Sequence, residues 1–473
     1  MKEKKLKHLF FVGSGATAGL GFQTTAQLGQ YIADVCNGER RAFVGLEEEY
    51  VEEVFRLLDG KSNFAYQQQF LSLYSFDVLK SSVERLSYEV RDEETTRTTV
   101  DLLNLYNFLD MHITSGLGLQ LEGRLIRTDE FIQARRLLDN LLTFRHQIDY
   151  KEMNQGLYTY YQDFARYLAK RMQEEGIQLQ DHNKRSRDFY LFSYAVISMN
   201  WDPLFLWLLF NAHREGNALP PYIGNPARPV KLYHDFAHPM YMRKIENEPY
   251  QASTWFPMNE GAAYRLNDER KDFSSFVRLG KFYFPHGSHN FRVCENCGKL
   301  NIFLGDEWAY DSDTLFPPSI FLPNSKHRFF SKEEEEERKY SPDAQQCVHC
   351  GEMTYMYQTD IVTQTSFKGS HSAYLEEIQR DMKVMIEQAE QIILFGYSLP
   401  PDDVIYQSVL AAKHRDGQKI TIVSGKSKVD GVEDEWVVGE EIPHKFEKGD
   451  TAYEVYQSLH HLFQPENIRA YAG

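Results

Sequence analysis

Four of the five cysteines stand in two Cys-x-x-Cys pairs, Cys294/Cys297 and Cys347/Cys350. No other feature ties remote parts of the chain together so narrowly. Two such pairs supply four thiolates, a complete tetrahedral shell for Zn2+, with each pair closing on a small turn. The 49 residues 298–346 between them exceed the roughly 15–20 of a compact zinc ribbon. The excess reads as an insertion, with the acidic run Glu333–Glu337 as its solvated loop. A closed four-sulfur shell leaves no position for substrate, so the metal is expected to be structural. This cysteine usage fits a reducing compartment better than a disulfide framework, and a cytoplasmic location is expected. Cys36, left over, reads as a plain buried thiol.

The remainder has an α/β rhythm. The apolar run Leu9–Val12 leads straight into Gly13-Ser14-Gly15-Ala16-Thr17-Ala18-Gly19-Leu20-Gly21. It is too short for a signal-peptide core of roughly 7–15 residues and reads as a first buried strand. A helix is predicted from Thr24. Helical periodicity then holds from about Glu47 to Asp188, with Leu137, Leu138, Leu141 and Leu142 on one stripe. A second stripe, Tyr161, Phe164, Leu168 and Met172, is expected to end at Gly176. Strand character returns at Tyr194–Met199, followed by Asn200-Trp201-Asp202-Pro203 and the apolar helix Leu204–Phe210. Residues 215–260 read as long loops. Lys281–Phe284 reads as a strand leading to His286-Gly287-Ser288. Near the C-terminus a helical stripe (Leu375, Ile378, Met382, Met385, Ala389) precedes the strand Ile392–Phe395, a turn over 396–403, a helix and the strand Lys419–Val423.

Strands alternating with helices indicate a parallel, Rossmann-like sheet covered on both faces. The expected division is a first part of the nucleotide-binding core over 1–46 and a helical insertion over 47–190. The core continues with long loops over 191–290, a zinc ribbon spans 291–355, and the C-terminal part of the core takes 356–473. A formal charge of −16 argues against autonomous nucleic-acid binding. No stretch approaches the ~20 apolar residues that span a bilayer.

Glycines after a first strand let backbone approach a pyrophosphate, although the spacing here is not Gly-x-Gly-x-x-Gly. Asn200 and Asp202 fall at a strand end, where α/β ligands bind, but taken alone a turn before Pro203 accounts for them better. His234, Asp235 and His238 suggest a metal cluster, which a polar loop explains as well.

In order, these pieces resemble the sirtuin superfamily: a glycine-rich NAD loop (Gly13–Gly21), an Asn-x-Asp strand end (Asn200-Trp201-Asp202), a His-Gly (His286-Gly287), the two cysteine pairs, and a late Gly-x-Ser turn (Gly396-Tyr397-Ser398). The resemblance covers about half the chain; the helical insertion and residues 203–280 lie outside it. It implies a sirtuin-type fold. Ser14, Gly15, Ala16 and Thr17, opened by Gly13, would line the NAD phosphates and nicotinamide ribose. Asn200 would position the ribose and attacking water, Asp202 the nicotinamide carboxamide, and His286 would act as general base. Gly396 and Ser398 would sit near the adenosine half, with Ser424 at a late strand end where the family often has Asn.

Besides Ser424 and a far longer spacer between Asp202 and His286, the chain departs from sirtuin deacylases in two further places. Gly21-Phe22-Gln23-Thr24-Thr25 replaces their Pro-x-Phe-Arg, and Asp360–Gly369 contains no Phe-Gly-Glu. The Asn-Trp-Asp and Gly-Tyr-Ser-Leu-Pro variants look more like bacterial sirtuin-like effectors of anti-phage defence, which cleave NAD once triggered. The resemblance therefore implies an NAD+ glycohydrolase releasing nicotinamide and ADP-ribose, controlled by homo-oligomerisation or a regulatory sensor protein. The alternatives are an NAD-dependent protein deacylase or ADP-ribosyltransferase, and a non-catalytic NAD/ADP-ribose-sensing module.

Overall fold

Leu9, Phe10, Phe11 and Val12 are all buried, so both faces of the first strand are covered, as a central parallel strand requires. A computed structural model describes residues 8–62, 67–91, 96–121, 123–191, 194–218, 230–237, 242–245, 252–255, 259–269, 276–294, 296–302, 315–316, 321, 345–347, 349–354, 358–361, 373–397, 419–425 and 444–449. The chain begins with β1 (His8–Val12), the one-turn helix α1 (Gly15–Ala18), α2 (Thr25–Cys36), α3 (Glu48–Leu58), α4 (Gln67–Leu73) and α5 (Phe76–Leu86). A hairpin of β2 (Ser87–Arg91) and β3 (Thr96–Val100), α6 (Leu102–Ser115) and a hairpin of β4 (Leu119–Leu121) and β5 (Arg124–Ile126) come next. Two long helices, α7 (Thr128–Glu152) and α8 (Gln155–Gln178), and the short α9 (Arg187–Tyr190) lead to β6 (Tyr194–Ser198) and α10 (Leu204–Ala218). Beyond them lie β7 (Lys231–Asp235), β8 (Met242–Ile245), β9 (Ala252–Trp255), α11 (Glu260–Glu269), β10 (Val277–Tyr283), β11 (Gly287–Val293) and β12 (Leu300–Ile302). The last are β13 (Gln345–Gln346), β14 (Met353–Thr354), β15 (Gln358–Ile361), α12 (Ala373–Gln388), β16 (Gln391–Phe395), β17 (Lys419–Gly425) and β18 (His444–Gly449).

The main sheet has seven strands in the order β18-β17-β16-β1-β6-β10-β7, all parallel. From β1 the chain works to one side, through β6, β7 and β10, then crosses to β16 on the other. The strand order therefore reverses between β1 and β16, which makes their carboxyl ends a topological switch point.

Register separates the two faces. Phe10, Val196 and Phe282 align across β1, β6 and β10, as do Phe11, Ile197 and Tyr283. Phe10 meets Phe164 of α8 edge-on, and buried Arg278, of the same parity, donates to Met172 O of α8 at 2.7 Å. On the opposite face the Tyr283 hydroxyl donates to Asp381 of α12 at 2.7 Å. The α/β expectation holds: a parallel sheet with helices on both faces.

Two hydrophobic clusters divide the described residues, and not at the expected boundaries. One surrounds the sheet and includes α8, α10 and α12. The other gathers α2, α3, α5, α6 and α7. Thus α2, expected with the nucleotide-binding core, packs with the insertion, and α8, expected with the insertion, covers the sheet. Helical periodicity marks a buried face but not what it is buried against.

Three further expectations are corrected. Residues 215–260 are not all loop: β7 lies there as an edge strand, too short and polar to stand out by pattern. The helical insertion also carries the hairpins β2–β3 and β4–β5. Gly176 does not end its helix; α8 runs to Gln178. A Cβ on Gly176 would lie 2.8 Å from Val230 and 3.1 Å from Arg278, so this glycine lets helix and sheet approach closely. No described helix is long and apolar enough to cross a membrane.

Candidate functional site

At the switch point two loops interlock. Gly13 N–H donates to Phe395 O and Gly15 N–H to Gly396 O, each at 3.0 Å. A Cβ on Gly13 would lie 2.5 Å from Gly396 O, and one on Gly396 only 2.0 Å from Ala16 N. Gly396 also has φ +55°, in the left-handed region that favours glycine. The glycines are thus needed first for the contact between the β1 and β16 loops. The Tyr161 hydroxyl of α8 donates to Ala16 O at 2.6 Å, and the buried Thr17 hydroxyl turns back to Ser14 O at 3.4 Å. Ser14 is half-buried and Gly15 exposed, so the loop presents an accessible edge.

The ends of β6 and β10 are tied to this loop. Asn200, buried, donates from Nδ2 to Gly13 O at 3.1 Å. Trp201 O accepts from Ser288 Oγ at 2.9 Å and from His289 N–H at 2.8 Å. His286 precedes these contacts in the tight turn where Gly287 N–H donates to Phe284 O at 3.0 Å, with Gly287 at φ +73°. Asn200, Asp202 and His286 therefore stand at the carboxyl ends of neighbouring strands, all three buried.

Asp202 has a local duty as well. Its Oδ1 accepts from Leu204 N–H at 3.1 Å at the start of α10, the turn expected before Pro203. Burial pushes its carboxyl up to about 7; the Leu204 amide opposes the rise and the Asp149 carboxylate adds to it.

Asp149 belongs to a group that sequence reasoning missed. Helix α7 buries Asp139, Thr143, His146 and Asp149 among apolar neighbours. Asp149 accepts from Gln23 N–H at 3.1 Å and is gripped by Arg145 Nε and Nη2 at 2.8 and 2.6 Å, which holds the end of the glycine-rich segment against α7. Thr143 Oγ1 lies 2.9 Å from His289 Nδ1, and the His146 and His289 rings meet edge-on. The signal available in the sequence was the recurrence of hydrogen-bonding residues at three- and four-residue steps in an otherwise apolar helix.

The remaining predicted residues have no described contact with this group. Ser424 lies at the carboxyl end of β17, one residue past Val423, the register partner of Phe395, and in register with Lys448 of β18. Ser398 and His238 fall outside the described residues. His234 stacks on His213 at 4.0 Å, and Asp235 lies 3.5 Å from buried Lys281, which also contacts Glu260 and Asp381. These two belong to separate contacts, not to a metal cluster.

The four paired cysteines do converge. Their sulfurs lie within 4.8 Å of one another, with Cys294–Cys350 at 3.8 Å and Cys297–Cys347 at 3.7 Å. Four Zn–S bonds of about 2.3 Å in a tetrahedron require S···S edges of about 3.8 Å. Each pair turns back on a left-handed glycine: Gly298 N–H donates to Cys294 O, and Gly351 N–H to Cys347 O. Amides of Asn301 and His349 point at Cys347 Sγ, and that of Asn296 at Cys350 Sγ, as donors around a metal thiolate do. The His349 ring is engaged 2.9 Å from Leu300 O, outside the four-sulfur shell. The cluster can hold a structural metal such as zinc. It begins one residue beyond β11, the strand that leads from His286. Cys36 is buried, and desolvation pushes its thiol up to about 12. No protein-family model and no curated protein matches the sequence, so the site is read from its geometry and the order of its motifs.

Proposed function

We propose that the chain is a sirtuin-like enzyme that binds NAD+ at the β1–β16 switch point and hydrolyses its nicotinamide–ribose bond. The observation that supports this most is the placement of Asn200, Asp202 and His286 at the carboxyl ends of neighbouring parallel strands, where ligands bind, with Asn200 bonded to the glycine loop. Loss of nicotinamide leaves an oxocarbenium-like ribose, which needs orientation and electrostatic support more than a strong nucleophile. In this reading Asn200 orients the ribose and the attacking water, and Asp202 holds the carboxamide. The His286 imidazole takes a proton from the ribose or water. The Gly13–Thr17 backbone and Gly396 face the phosphates and adenosine, and Zn2+ on the four cysteines fixes the frame without entering the chemistry. The narrower assignment, a bacterial anti-phage effector released by assembly or a sensor protein, is proposed on the motif resemblance.

The test is to incubate purified protein with NAD+ alone and follow nicotinamide and ADP-ribose by chromatography, beside Asn200→Ala and His286→Ala. Release by the wild type that both variants lose supports hydrolysis at this site. Turnover only when an acetylated peptide is added replaces the glycohydrolase with a deacylase. Absence of both turnover and NAD+ binding rejects the proposal.

A further inference from the structure

The hairpin of β2 and β3 stands outside the main sheet, and its two edges differ. On the β3 side, Thr98 O accepts from Gln30 Nε2 of α2 at 2.7 Å, and a Cβ on Gly29 of α2 would stand 2.1 Å from Val100 O. Thr98 and Val100 are two residues apart, so alternate carbonyls of β3 turn to α2 and away from β2. In an antiparallel ladder directly opposed residues share that direction. Glu89, opposite Thr98, and Ser87, opposite Val100, therefore turn their backbone groups away from β3, and Arg91 does the same two residues on. Ser87 agrees: its N–H donates to Val83 O at the end of α5.

The outer edge of β2 is left open: among the described residues no strand pairs with it. Every residue from Tyr88 to Arg91 is exposed. Tyr88 and Val90, 52% and 40% exposed, share one face, and Glu89 and Arg91 share the other, 3.6 Å apart. An open edge is a template for another strand, and charges usually guard it by repulsion. Here the charges have opposite sign, so their effect depends on register. Laid antiparallel on a second β2, the strand keeps its outward groups in hydrogen-bonded pairs only when residues of the same parity oppose. A register centred on Glu89 sets two carboxylates against each other. One centred on Tyr88 uses Ser87, whose N–H is already engaged. One centred on Val90 sets Glu89 opposite Arg91 of the second copy twice over, with Val90 on Val90 as the close pair, about 4.5 Å between Cα atoms.

We infer that the outer edge of β2 is an interface for a second copy of this chain, paired antiparallel about Val90 so that the two hairpins form one four-stranded sheet. Charge complementarity with itself, in a register that also satisfies the outward N–H and C=O groups of Glu89 and Arg91, singles out a second copy as the occupant. One patch meeting itself about a two-fold axis closes at two chains. The edge is short, so association is expected to depend on concentration. The inference is independent of the NAD+ reading.

The experiment is sedimentation velocity of the full chain from about 1 to about 100 μM, where a small interface associates. It compares wild type, Glu89→Arg, Arg91→Glu and an equal mixture of the two variants. The wild type is expected to pass from monomer to dimer across this range. Each single reversal sets like charges opposite in both pairs and is expected to weaken dimerisation about tenfold. Both side chains are exposed, so melting temperatures should stay unchanged. Mixed, the two variants again oppose unlike charges in both pairs, and the mixture is expected to dimerise as the wild type does. Val90→Lys, which sets like charges on the axis, stands in with the same expected loss if a reversal unfolds the chain. A wild type that stays monomeric, a dimer indifferent to these substitutions, or a mixture as weak as its components overturns the interface, and none of these outcomes touches the nucleotide site.

Discussion

Gly396 is the position where one added carbon tests the site most severely. Its Cβ would stand 2.0 Å from Ala16 N and 2.4 Å from Gly15 C, both backbone atoms, so no side chain can swing aside. Its φ of +55° adds a conformational penalty of about 1–2 kcal/mol for an L-residue. Forcing the two loops apart adds about 1–3 kcal/mol, the usual range for overpacking. Gly396→Ala is therefore expected to lose about 2–5 kcal/mol, a large share of the ~5–15 kcal/mol that holds a typical domain together. Gly21→Ala is the control: Gly21 has φ +104°, but its Cβ would meet nothing within 4 Å, so only the conformational penalty applies. Urea denaturation of both variants separates the two contributions. The β1 loop must move in Gly396→Ala, so on the proposed NAD+ reading the affinity is expected to fall with stability in that variant but not in Gly21→Ala. If the two variants unfold within about 0.5 kcal/mol of each other and bind NAD+ alike, the interlock is not what the glycines serve.

Two other outcomes are expected. The purified protein should carry one zinc per chain by elemental analysis; Cys297→Ser should lower that content, and chelation should lower the melting temperature by loosening β11 and the His286 turn, whereas full metal-free stability would refute a structural centre. Asp202→Asn keeps the acceptor for Leu204 N–H while removing a carboxyl whose folded value, about 7, lies above its unfolded value near 4. The folded state holds that proton over this window, so ionising Asp202 costs stability as pH rises from about 4 to about 7. Asp202→Asn should accordingly gain on the wild type across those pH values and keep the gain above them, measured by denaturation from pH 4 to 8; an advantage that shrinks with rising pH contradicts the buried carboxyl.

Much of this was legible in one dimension because the signals were local. A run of buried residues such as Leu9–Val12 reads as a strand covered on both faces, and a Cys-x-x-Cys closes over four residues wherever it occurs. The strand ends carrying Asn200, Asp202 and His286 could be named because the residues immediately after each parallel strand emerge at one edge of the sheet. The sequence could not show why the glycines stand where they do: Gly13 and Gly15 meet Gly396 some 380 residues on, and only the strand order that sets β1 beside β16 brings them together. Nor could it show that α7, read as part of an accessory insertion, brings Thr143 to His289 and Asp149 to Gln23, because helical periodicity identifies a buried face without naming its neighbour. Local hydrogen bonding and hydrophobic pattern determine the elements. Which polar side chains share a desolvated space is decided by the packing of those elements, and the chemistry proposed here depends on that packing.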